Sequence, residues 1–316
     1  MPRHGKLYFS DGTIVIKAGD GSDMFYNVYR GPLEHASELF DTLLNLPQPG
    51  IPPMTWKDNA ITWFQKARSL GLNGSTDALA LELPPQLTAR EIEAWIYFTF
   101  LQDWAAGEPS VETARAILKT SHFLIGRNGI AYARRVLDKS GTLNAIERLV
   151  LGFNYGFARW VKDAFDELMS VPINDLSEAD EAAIGSVAYR ALAKTQAKVT
   201  DARLNLAFRP PDVNHCNACI NHFYCQGEWE QMWTSPRDGV LAALIKDELP
   251  GSVILEQLRV YRCGGMNLDC HRRTCDGLRD TVDKVSILKE EEGLIDDAIK
   301  NLLAYAGIPA GELKIE

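Results

Sequence analysis

All six cysteines of this 316-residue chain fall between Cys216 and Cys275, and three of its six histidines, His215, His222 and His271, share that stretch. A reducing compartment makes such a cluster a set of thiols or metal ligands, not a disulfide framework. Cys216 and Cys219 form a CxxC pair, whose two-residue spacer lets a tight turn aim both sulfurs at one ion. His222 and Cys225 repeat that spacing, and Cys263, Cys270, His271 and Cys275 follow at short intervals. Two antiparallel helices, about Pro236 to Asp247 and Ser252 to Tyr261, would return the chain and bring the two groups together. Trp229 and Trp233 stand four apart, on one face of a helix leaving the first group.

Six thiols with His222 and His271 make eight candidate ligands for Zn2+, the donors of two four-coordinate sites, with His215 spare. The pairing stays open: two sites in sequence, an alternating cross-braced pair, or one zinc beside four thiols. Thiolate-rich closed shells are structural zinc sites. A catalytic zinc with Asp269 or Glu228 as general base is the alternative, but the HxE followed by PCxxC of the zinc deaminases is absent. Nothing fits a phosphate loop or a GxSxG elbow.

Charge limits the partners. Residues 213 to 316 carry 11 basic and 17 acidic side chains, in a chain of net charge -9. Phosphate binding would work against that field, which argues against a nucleic-acid finger as the reading of the cysteines. No apolar run approaches the ~20 residues that span a bilayer, and Met1 to Ser10 lacks a secretory apolar stretch. The expectation is an intracellular protein of cytoplasm or nucleus, with neither membrane nor nucleic-acid partners.

Periodicity organises the rest. Thr13 to Lys17 and Met24 to Tyr29 read as the two strands of a hairpin around the turn formers of Gly19 to Asp23. Leu33 to Leu44 reads as one helix ended by Pro47, and the prolines of Pro47 to Pro53 exclude regular structure. Trp56 to Leu72 reads as a short helix and Ala78 to Leu83 as a third strand. Helices then fill Thr88 to Leu101, Ser110 to Ile125, Gly129 to Lys139, Leu143 to Tyr155, Ala158 to Met169 and Glu178 to Val199. Thr88 with Glu91 has capping-box spacing, and Ser110 and Ser177 are further start signals. Glu290 to Glu292 opens a last helix as a solvated, dipole-compensating cap. The fold class is α+β.

The order strand, strand, helix, third strand and paired helices resembles a BTB/POZ domain of the kind abundant in mushroom-forming fungi. The residues that carry the resemblance are Phe9-Ser10-Asp11-Gly12-Thr13-Ile14-Val15-Ile16, Phe25 to Leu33, Ser37-Glu38-Leu39-Phe40, Leu46-Pro47-Gln48-Pro49 and Ala80-Leu81-Glu82-Leu83. Tyr29 stands where family members usually carry histidine, and the 50–76 connection is longer than the family's.

The resemblance implies a BTB/POZ-like domain over residues 1–140 with a 50–76 insertion. A helical middle, 141–212, and a Cys/His-rich, zinc-stabilised helical module, 213–316, would follow. It implies a non-enzymatic protein-interaction role: homodimers formed through the first strands and helix, or capture of another partner. A substrate adaptor of a cullin ubiquitin ligase is the alternative within the same fold, and a zinc-dependent enzyme the alternative outside it.

Overall fold

The structure is a computed structural model that describes residues 2–45, 63, 74–100, 109–235, 258–260, 264–281, 284–285 and 289–309. It divides into two compact units, Met1–Leu143 and Asn144–Glu316. The fold is mixed α+β, mostly helical with a small four-stranded sheet. No helix among the described residues is long and apolar enough to cross a membrane. The helix expected at 56–72, apart from Trp63, that at 236–247 and most of that at 252–261 lie outside the described residues, as do Pro47 to Pro53.

The first unit is built on a hairpin. β2 (Ile14–Lys17) and β3 (Phe25–Val28) are antiparallel, with Ile14 opposite Val28 and Lys17 opposite Phe25. β1 (Arg3–Tyr8) lies parallel to β3, and β4 (Leu81–Glu82) parallel to β2, giving the order β1-β3-β2-β4. β1 was not expected: Arg-His-Gly-Lys-Leu-Tyr alternates weakly, and its pairing comes from a strand some twenty residues away. The third strand is shorter than the Ala78 to Leu83 reading, because Asp77–Leu79 winds into a single 3-10 turn.

The helix expected across Leu33 to Leu44 is two: α1 (Arg30–Ala36) and α2 (Glu38–Asn45). Ser37 between them is extended (φ -145°, ψ 118°). Its buried hydroxyl donates to the Leu124 carbonyl (2.5 Å) and accepts the Phe40 N–H (3.1 Å). Those two bonds satisfy the hydroxyl and start α2, which a continuous helix would forbid. α3 (Ala89–Phe100) opens with the Thr88/Glu91 capping box, both of its bonds formed. Ser110 caps α4 (Val111–Phe123), and α5 (Arg127–Ser140) packs against α4. Phe40 stacks on Trp95 at 6.0 Å in the core between sheet and helices, and Trp63 donates from its indole to the Glu82 carbonyl.

In the second unit α6 (Ala145–Tyr155) starts at an Asn144/Glu147 capping box and packs on α7 (Ala158–Met169). A long helix follows, α8 (Glu178–Phe208), with its first turns set apart by a break at Gly185 (φ 81°, ψ 154°). Only glycine holds that backbone without strain. α11 (Lys289–Tyr305) packs against α7 and α8, burying Leu302 and Leu303. Glu291 is not a solvated cap residue: Arg203 of α8 grips its carboxylate with two bonds of 2.7 and 2.8 Å. Between α8 and α11 lie α9 (His222–Thr234), α10 (Leu268–Gly277) and a short ladder of β5 (Arg279–Thr281) with β6 (Lys284–Val285).

Candidate metal centre

The indole faces of α9 set the floor of the site. Trp229 and Trp233 are fully buried, and their ring N–H groups donate to the carbonyls of Pro211 (2.9 Å) and Leu206 (3.2 Å). The apolar bodies thus fill a core while each polar edge is satisfied. Val213, Met232, Leu258, Met266 and Leu278 complete that core, and the sulfurs of Cys216, Cys225, Cys270 and Cys275 are embedded in it.

Two tight backbone devices bring the donors together. Cys219 N–H bonds back to the Cys216 carbonyl (3.0 Å), the turn anticipated from CxxC. Asn221 then caps α9 by accepting from Tyr224 N–H, and Asn267 caps α10 by accepting from Asp269 and Cys270 N–H. Both caps start helices whose first turns carry cysteines, so the positive helix ends face the sulfurs. Asn-capped starts were the signal the sequence reading passed over.

The ligand atoms of His215, Cys219, Cys225 and Cys270 lie within 4.8 Å of one another. Cys219 Sγ is 3.5 Å from Cys225 Sγ and 3.7 Å from His215 Nδ1. A tetrahedral shell with metal–sulfur bonds of about 2.3 Å has sulfur–sulfur edges of about 3.8 Å. The four donors therefore stand close to the spacing such a shell needs before any ion draws them in. Backbone N–H groups aim at the same sulfurs: Asn267 N–H at Cys225 (3.4 Å) and Cys216 N–H at Cys270 (3.2 Å). Bonds of this kind stabilise thiolates.

The remaining sequence candidates take other places. Cys216 stands outside the mutual set, with its sulfur 3.5 Å from Cys270 Sγ and 3.6 Å from Asn267 Oδ1. His222 stacks on His215 instead of joining it among the donors. His271 and Cys275, one turn apart on α10, approach to 3.8 Å, and His271 meets the Trp229 ring edge-on. Cys263 lies outside the described residues. No family model, curated protein or solved structure matches the chain.

Electrostatics separates the donors. Burial, with the neighbouring Cys216 and Cys219 thiols, pushes the Cys270 thiol up to about 12. Burial works the same way on Cys219, but bonds from Cys225, the Asn221 backbone and Cys270 outweigh it and hold that thiol below its usual range. Burial and the nearby His222 lower His215, keeping its imidazole neutral, the form that donates to a metal. The acidic residues proposed as bases are engaged elsewhere: Glu228 accepts the Gly265 N–H (3.2 Å), and Asp269 pairs with Arg272 (3.3 Å). A Cβ at Gly265 would meet the outer end of the exposed Tyr224 ring, which would have to swing aside.

Chemically, three sulfurs and one imidazole nitrogen form a soft set with no carboxylate, which suits zinc and disfavours magnesium or calcium.

Proposed function

We propose that this is a non-enzymatic protein-interaction protein, whose first unit is a BTB/POZ-like oligomerisation or partner-capture domain and whose second unit is stabilised by a structural zinc ion. The observation that carries the reading is the donor set of His215, Cys219, Cys225 and Cys270, with its buried sulfurs packed into a tryptophan core. Four protein ligands fill a tetrahedral ion's shell and leave no position for substrate, so the zinc's contribution is to folding.

The interaction half of the reading is supported by element order. The hairpin β2–β3, the helices α1 and α2, the parallel strand β4 and the run α3 to α5 follow one another as in the BTB/POZ fold that the wording of residues 9–49 resembles. Such domains pair through their first strands and helix.

Two measurements on the full chain test the two halves. Elemental analysis of protein purified without added metal gives one zinc per chain, and none sinks the metal reading. Light scattering coupled to size exclusion gives a dimer at tens of micromolar. A monomer at that concentration removes self-association and leaves capture of a different partner as the role of the first unit.

A further inference from the structure

A further thiol lies against the donor set. Cys216 is buried, lies outside the four mutually close donors, and yet puts its sulfur 3.5 Å from that of Cys270. A second packed thiol beside a ligand sulfur adds nothing to a closed tetrahedral shell. It does supply a thiol in place for disulfide exchange once Cys270 has been oxidised.

Access is graded across the cluster. Cys216, Cys225 and Cys270 are buried, whereas Cys219 is partly exposed, so an oxidant from solvent meets Cys219 first. Cys219 Sγ lies within 4.8 Å of Cys270 Sγ, and Cys270 Sγ is 3.5 Å from Cys216 Sγ, so the sulfurs form a relay away from the exposed edge.

We infer that Cys216 is the exchange thiol of a peroxide-sensitive zinc site, taking Cys270 over from a first Cys219–Cys270 disulfide, and that oxidation ends in a buried Cys216–Cys270 disulfide with the metal released. The inference rests on the zinc reading above. The Cys219 thiolate attacks one oxygen of hydrogen peroxide, the O–O bond breaks, and the departing hydroxide takes a proton from solvent to become water. Cys270 sulfur attacks the resulting sulfenic acid; an S–S bond forms, the S–O bond breaks, and the oxygen leaves as a second water. Zinc departs as Zn2+, having lost two ligands. Cys216 sulfur then attacks Cys270, the Cys216–Cys270 bond forms, and Cys219 leaves as a thiolate that is protonated by solvent. Two electrons pass from two thiols to one peroxide, and a dithiol reductant with zinc reverses the change.

The experiment treats the zinc-loaded full chain with hydrogen peroxide, after its zinc content has been fixed by elemental analysis. Released metal is read with a chromophoric chelator and disulfides by peptide mapping. Stoichiometric release with a Cys216–Cys270 crosslinked peptide, and full zinc rebinding after dithiothreitol, is the expected result. Cys216→Ser should hold one zinc like the wild type and release it with peroxide, but stop at a Cys219–Cys270 crosslinked peptide, because the thiol that displaces Cys219 is gone, and reduction should restore its zinc binding. Release without the Cys216–Cys270 peptide in the wild type overturns the inference, as does loss of zinc in Cys216→Ser, which would make Cys216 a ligand. Absence of zinc before any peroxide is added overturns the metal reading itself and is seen first.

Discussion

The imidazole of His222 lies flat on that of His215, with ring centroids 4.1 Å apart and planes 7° from parallel. One ring joins the sulfurs and the other backs it, so two histidines seven positions apart have different tasks. Replacing His215 with alanine removes a ligand and should cost at least tenfold in zinc affinity, on the order of 1.4 kcal/mol or more. His222→Phe preserves the stack and should hold zinc at one per chain. Competition with a chelator of known affinity measures both, and equal losses would show that the two histidines are interchangeable.

Stripping the metal should loosen the tryptophan core. Trp229 and Trp233 pack with the sulfurs of Cys225 and Cys270, so a strong chelator should red-shift indole emission and lower the melting temperature of the second unit by roughly 10 °C or more. Thermal scans read by near-ultraviolet circular dichroism with and without chelator check this. Unchanged near-ultraviolet signal on complete zinc removal would mean that the core stands alone.

Trp229→Phe isolates one hydrogen bond. The smaller ring still fills most of the site but leaves the Pro211 carbonyl without its indole donor, at a cost of about 1–3 kcal/mol. Trp233→Ala opens a cavity and should cost about 3–5 kcal/mol. Urea midpoints order the two variants, and the reverse order would place the energetic weight on the hydrogen bond.

Asp20 gives the first unit an acid sensitivity. A bond from Ser22, together with the Ala89 N–H at the start of α3 (2.6 Å), holds its carboxyl below the usual carboxylate range. A depressed folded value means that the contribution is complete above the unfolded value near ~3.9 and fades as pH falls through the folded one. Asp20→Ala should therefore be less stable than wild type at pH 7, with the gap between their urea midpoints closing below pH 4. Parallel curves would remove the linkage.

Much of the local structure was legible because it is written in short spacings. The β2–β3 hairpin, the Thr88/Glu91 box and the tryptophan face of α9 each depend on residues within about fifteen positions. What escaped depends on distant partners. β1 exists because β3 is beside it, and Ser37 breaks a helical pattern because the Leu124 carbonyl, 87 positions on, accepts its hydroxyl hydrogen bond. The choice of His215 over His222 turns on which ring faces Cys219: His215 lies in the irregular stretch before the CxxC turn and His222 opens α9, and no spacing encodes which of them approaches the sulfur. Gly185 sits in a helical run with open space around it, so its role is conformational and invisible to a hydrophobic pattern.

The ligands are unevenly distributed along the chain. His215, Cys219 and Cys225 fall within eleven positions, while Cys270 comes forty-five positions later. During synthesis the first three leave the ribosome together, and the fourth follows after about 2–9 s at ordinary elongation rates. For that interval a nascent chain offers an ion three donors and an open face. On the zinc reading, the pace at which the stretch from 226 to 269 emerges would set how long an ion held by the first three donors is exposed to competing chelators.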